Sequence, residues 1–148
     1  MMIYVADTHA VIWFLDKDPR LSPAAKNTLA NPSTELIVPT IVLAEITHLY
    51  ARGRISISPA IVEQKILKSA NCRVHSLDKE VVAMIPASLD IHDAIIVATA
   101  LVLRDIRQQP TTLITKDTKG RKETTSRFRR TACRRTRCHL VLHREVDF

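Results

Sequence analysis

The chain has 148 residues, with 22 Lys and Arg against 15 Asp and Glu, for a formal net charge of +7. Residues 1–117 hold 12 bases and 12 acids, whereas residues 118–148 hold 10 bases and 3 acids, so the whole excess belongs to the last segment and says nothing about the surface of a neutral body. An apolar content of 46% excludes wholesale disorder, the length suits one domain, and two glycines, Gly53 and Gly120, are too few for a Walker loop or a dinucleotide fingerprint.

Met1 to Asp7 lacks a basic leader region and meets an acid too early for a signal peptide. Within it, Ile3-Tyr4-Val5-Ala6 reads as a short buried strand ended by Asp7. Thr8 to Leu15 reads as a helix, followed by a turn at Asp16-Lys17-Asp18-Pro19. Ser22-Pro23 opens a second helix, which ends near Asn31-Pro32. Leu36-Ile37-Val38 is the next strand, and a helix from about Thr40 to Arg52 is closed by Gly53. Ser58-Pro59 opens a helix through about Ala70, with Ile61, Ile66 and Leu67 as its apolar members. Cys72 to His75 is a third strand and Leu77 to Met84 a short helix, broken by Pro86. A long helix is expected from Asp90 to about Arg104, with Asp93, Ile96, Val97, Ala100 and Leu101 on one face. Thr112 to Thr115 is a fourth strand, ended by Lys116-Asp117.

Short apolar strands alternating with helices predict an α/β fold with a mainly parallel sheet of four to five strands. Such sheets carry their chemistry at the carboxyl ends of the strands, where Asp7 and Asp117 both fall. No run of apolar residues is long enough for a membrane span, and Cys72, Cys133 and Cys138 make no disulfide framework, which points to a reducing cytoplasm.

Four acids stand out. Asp7 opens a helix after a strand, where an ordinary N-cap is the simple reading. Glu45 has Ile41, Val42 and Leu49 at helical spacing, which puts it on or beside the apolar face, and only His48 is near as a partner. A buried lone carboxylate costs several kcal/mol, so it calls for a base, a proton or a metal; a rotated, solvated helix is the alternative. Asp93 lies on a similar face, with Asp90 three residues earlier as the better cap. If Asp7, Glu45, Asp93 and Asp117 converge, their repulsion would raise their pKa values or unfold the site unless a cation is present. Oxygen-only ligands favour Mg²⁺, with Mn²⁺ as a substitute, and hence phosphoryl chemistry.

These residues resemble the PIN-domain ribonucleases, most closely the VapC-like toxins of type II toxin–antitoxin pairs. The resemblance rests on four segments in order: Tyr4-Val5-Ala6-Asp7-Thr8-His9-Ala10-Val11-Ile12-Trp13, Pro39-Thr40-Ile41-Val42-Leu43-Ala44-Glu45-Ile46, Asp90-Ile91-His92-Asp93-Ala94-Ile95-Ile96-Val97-Ala98-Thr99-Ala100 and Leu113-Ile114-Thr115-Lys116-Asp117. It implies a PIN-like fold over residues 1–117, a parallel sheet with helices on both faces and a Mg²⁺-dependent endoribonuclease. On that basis Asp7, Glu45 and Asp93 are metal ligands and Asp117 completes the set. Thr115 is a supporting hydroxyl, and Asp90 a capping or supporting acid. RNA is the substrate, a cognate antitoxin restrains the site, homodimerisation is expected, and no membrane is involved.

The chain departs from this pattern in two places. Ala94 stands where an Arg commonly follows the second Asp of the third motif. Residues 118–148 lack the short helix and last apolar strand of the family, with only His139-Leu140-Val141-Leu142 as a further strand candidate. Three readings of this basic segment stay open: an RNA-binding arm, a solvated segment without a role, or the product of a reading-frame shift. A zinc site from Cys133, Cys138, His139 and His143 has no fitting spacing. Trp13 and Phe14 read as core, and His9 and His92 as solvated residues beside the proposed ligands. Two alternatives to the nuclease are a PIN-like module that binds antitoxin or RNA without cutting, and a phosphatase using Asp7 as nucleophile. The phosphatase is disfavoured because His9 stands where its second Asp belongs.

Overall fold

Four short strands form one parallel sheet in the computed structural model, which describes residues 1–115. They are β1 (Ile3–Ala6), β2 (Glu35–Pro39), β3 (Cys72–His75) and β4 (Thr111–Ile114), in the order β3-β2-β1-β4. The chain steps outward from β1 to β3, then crosses back to lay β4 on the free side of β1. The reversal falls between β1 and β4, whose register pairs Ile3 with Thr111 and Ala6 with Ile114. Crevices at such reversals, beyond the carboxyl ends of the strands, are the usual binding sites of open α/β sheets.

Six helices connect and cover the strands: α1 (Thr8–Leu15), α2 (Pro23–Ala30), α3 (Thr40–Ala51), α4 (Pro59–Lys68), α5 (Lys79–Ala83) and α6 (Ile91–Leu101). Their starts follow from local chemistry. Ser22 and Ser58 accept the amides of Ala25 and Ile61 and each precedes a proline at the first helical position. Asp78 caps α5 through the amide of Val81, so that helix begins two residues later than the sequence suggests. All four residues of β4, and all of β1 except half-buried Tyr4, are buried, so both faces of the sheet centre are covered.

Two helices differ from expectation. On α4 the inward residues are Val62 and Ile66, whereas Ile61 is 45% exposed and Leu67 is 77% exposed. The i, i+4 pair fits the groove against the core, and the two flanking residues turn away from it. The expected helix to Arg104 is instead α6 followed by a π-helical turn, Val102–Ile106, in which the Arg107 amide bonds the Val102 carbonyl. Nor does α6 bury a single stripe: Ala94 to Thr99 are all buried, while Ala100 and Leu101 are only half-buried. Ile96 and Val97 join the main core, whereas Ile95, Ala98 and Val102 pack with Val81 of α5 in a second cluster. A helix covered on both sides has no single apolar face.

Trp13 is core, as expected, while Phe14 is half-buried against it. Among the described residues no helix is long and apolar enough to cross a membrane. Asp117, the basic segment 118–148, its strand candidate at 139–142 and the Cys133, Cys138, His139 and His143 set lie outside the described residues.

Candidate active site

Asp7 ends β1 and caps α1. Its Oδ1 accepts the amide of Ala10 at 2.7 Å, and its own amide donates to the Ile114 carbonyl at 3.0 Å. The second bond fixes Asp7 beside the end of β4, in the crevice where the strand order reverses. The side chain is only 7% exposed. The cap reading and the site reading of this residue are therefore compatible: the capping bond presents the carboxylate in one orientation.

Thr8, the first residue of α1, is 2% exposed, and its hydroxyl donates to the Glu45 Oε2 at 2.5 Å. This answers what partners Glu45. The carboxylate is half-buried on α3, and its partner is a hydroxyl from another helix rather than His48 three residues on. A buried hydroxyl needs an acceptor and a partly buried carboxylate needs donors, so each satisfies the other. The bond ties the α1 start, with Asp7, to the second turn of α3. Thr8 lies in the first motif, where the sequence assigns it no role. The available signal was a hydroxyl residue directly after the strand-ending Asp7.

Asp93 is half-buried in the first turn of α6. That helix packs on α3, β1 and β4, the elements that carry Glu45 and lead into Asp7 and Thr115. Asp90 occupies the cap position of α6, exposed, but its side chain makes no capping hydrogen bond; its backbone carbonyl accepts the Ala94 amide instead. Thr115 is half-buried immediately after β4. His9 is exposed, and its ring lies 5.4 Å from the Trp13 ring, tilted by 58°. His92 is exposed as well.

The structure thus links Asp7, Thr8 and Glu45 directly and brings the helix of Asp93 against the same elements. Among the described residues no group of three or more His, Cys, Asp or Glu stands close enough to hold a metal ion. The donor chemistry of Asp7, Glu45 and Asp93, carboxylates without thiolate or imidazole, fits a hard divalent ion. A small apolar cavity of about 60 Å³, lined by Val11, Phe14, Leu29, Leu36, Val38 and Ile66 among others, contains none of these acids.

A family model described as PIN domain matches residues 4–123. No curated protein matches the chain. Among solved structures, the chain is similar to VapBC2 from Rickettsia felis, whose crystal structure holds it bound to a DNA fragment from its promoter. That likeness has a TM-score of 0.61 at 16% identity, over 97% of this chain and 98% of that one. A second likeness is to VapBC-1 from nontypeable Haemophilus influenzae, with a TM-score of 0.56 at 22% identity over 84% and 94% of the two chains.

Proposed function

Because the chain belongs to the PIN-domain family, we propose that it is a Mg²⁺-dependent endoribonuclease and the toxin of a toxin–antitoxin pair. The observation that supports this reading is the Thr8–Glu45 hydrogen bond, which ties Glu45 of α3 to the residue that follows Asp7. Asp7, Glu45, Asp93 and Asp117 would hold the ion, with Mn²⁺ as a substitute. When bound, such an ion lowers the pKa of water and offsets charge on the phosphate oxygens.

The protein's own groups set the geometry. The cap bond to Ala10 and the strand bond to Ile114 hold Asp7 on both sides. Thr8 donates to one oxygen of Glu45, and the other would be available to the ion. Asp90 and Thr115 would support this group. The reaction is hydrolysis of an RNA phosphodiester by in-line attack of water, leaving a 5′-phosphate and a 3′-hydroxyl. The solved neighbours are VapBC assemblies, which supports a cognate antitoxin as partner, and a homodimer belongs to the same reading. A cytoplasmic location belongs to the same reading.

Incubation of the chain with structured RNAs, with Mg²⁺ or EDTA, tests the reading. Cleavage that survives EDTA contradicts it, and RNA binding without cleavage by the parent chain assigns the protein to the non-cutting alternative.

A further inference from the structure

Six arginines fall among the described residues, and four of them rest on carboxylates. Arg20 pairs with Asp18, Arg73 with Glu35, Arg104 with Asp105, and Arg107 with Asp78 and Glu80. Arg52 and Arg54 pair with no acid among the described residues, and both are exposed.

Their backbone is rigidly held. The amide of Gly53 donates to the Tyr50 carbonyl at 2.9 Å, and that of Arg54 to the Leu49 carbonyl at 3.0 Å. With Gly53 at φ +66°, this is the Schellman closure of α3. Ile55 then packs against the core and Ile57 is buried, which anchors the chain just past Arg54. Two guanidinium groups that pair with no acid among the described residues therefore stand on a fixed turn.

Helix geometry relates that turn to Glu45. Arg52 follows Glu45 by seven residues, two turns and about 10 Å along α3, on nearly the same side. Exposed His48 lies between them. A cluster of acids repels a polyanion, and the body as a whole is neutral, so attraction for RNA must come from local cations. Guanidinium forks suit phosphate oxygens better than any other side chain.

We propose that Arg52 and Arg54 form a phosphate-binding pair that holds the RNA strand beside the scissile bond. This rests on the endoribonuclease reading and names how the same site gains its substrate. Cations at a helix C-terminus also complement the helix dipole. That effect alone changes stability and leaves RNA affinity untouched, so the two roles separate by experiment.

The full chain carrying Arg52→Gln and Arg54→Gln is compared with the parent and with the Arg52→Lys, Arg54→Lys variant, on a fluorescent single-stranded RNA. For the glutamine variant KM is expected to rise about tenfold while kcat stays within about twofold, and the slope of log Kd against log salt to fall by about 1.4, at ~0.7 per phosphate contact. The lysine variant, which keeps the charge at the helix end, recovers most of that slope. An unchanged KM and salt slope in the glutamine variant overturns the proposal and leaves a helix-end role. Lost antitoxin binding with RNA binding intact overturns it too, in favour of a protein partner. If the parent cleaves no RNA, the nuclease reading fails separately, and the salt slope alone decides whether the pair binds phosphate.

Discussion

The Thr8 hydroxyl donates to the Glu45 carboxylate, joining the start of α1 to the second turn of α3 across 37 positions of sequence. The bond sits next to Asp7 and gives a partly buried acid a neutral donor. Thr8→Val keeps the shape and removes the donor. It is expected to destabilise the chain by about 1–3 kcal/mol, the cost of an unsatisfied buried acceptor, and to slow RNA cleavage by about tenfold or more as Glu45 loses its orientation. Thr8→Ser should restore most of both. Urea melts and single-turnover cleavage read the two effects.

Asp7 caps α1 and, in the proposed function, holds the ion, and substitution can separate the two roles. Asparagine caps helices about as well as aspartate, whereas alanine costs about 1 kcal/mol. Asp7→Asn should therefore melt close to the parent and still abolish cleavage, while Asp7→Ala loses both. A thermal melt beside a cleavage assay distinguishes them. Equal destabilisation by both substitutions would mean that the charge, and not the cap, holds the first turn.

The packing of α4 predicts unequal costs for two isoleucines five residues apart. Ile66 is 8% exposed and Ile61 is 45% exposed. Ile66→Ala is expected to cost about 2–4 kcal/mol and Ile61→Ala under about 1 kcal/mol. Denaturant midpoints at constant slope measure the difference.

Asp18 provides a pH signature outside the site. Side-chain and backbone hydrogen bonds from Arg20 lower its pKa from 3.8 to about 2, and Arg20 in turn lies over the Trp13 ring at 4.9 Å. A carboxyl with a depressed folded pKa contributes stability above its unfolded value and loses it as pH falls through the folded value. The melting temperature should thus fall between about pH 4 and pH 2. Asp18→Asn should flatten part of that decline, and the effect is small because the pair is exposed. Asp78, lowered by the Val81 amide, adds in the same direction.

Local chemistry made much of the fold legible. β1 and α1 begin and end where the strand-ending Asp7 and the turn after Leu15 indicate, and β3 spans Cys72 to His75 as expected. Gly53 closes α3 because its φ of +66° suits glycine. The face of α4 was not legible, since Ile61, Val62, Ile66 and Leu67 admit two overlapping stripes and only the neighbouring elements choose between them. Periodicity also misleads on α6, where burial against both the sheet and α5 removes the contrast between faces. The unbroken apolar run from Ala94 to Val97 was the better signal. At the candidate site, motif order singles out Asp7 and Glu45, but a contact 37 positions apart is a tertiary fact. The bond from Thr8 follows from how α1 and α3 pack, which no local pattern encodes.

The most direct test of the account is single-turnover cleavage of a structured RNA by the full chain and by its Asp7→Asn form, in Mg²⁺ and in EDTA. The account predicts cleavage to 5′-phosphate products by the parent in Mg²⁺ alone, and none by the folded Asp7→Asn chain under either condition. Cleavage at the parental rate by Asp7→Asn, or by the parent in EDTA, would contradict a carboxylate-held metal at the crevice between β1 and β4.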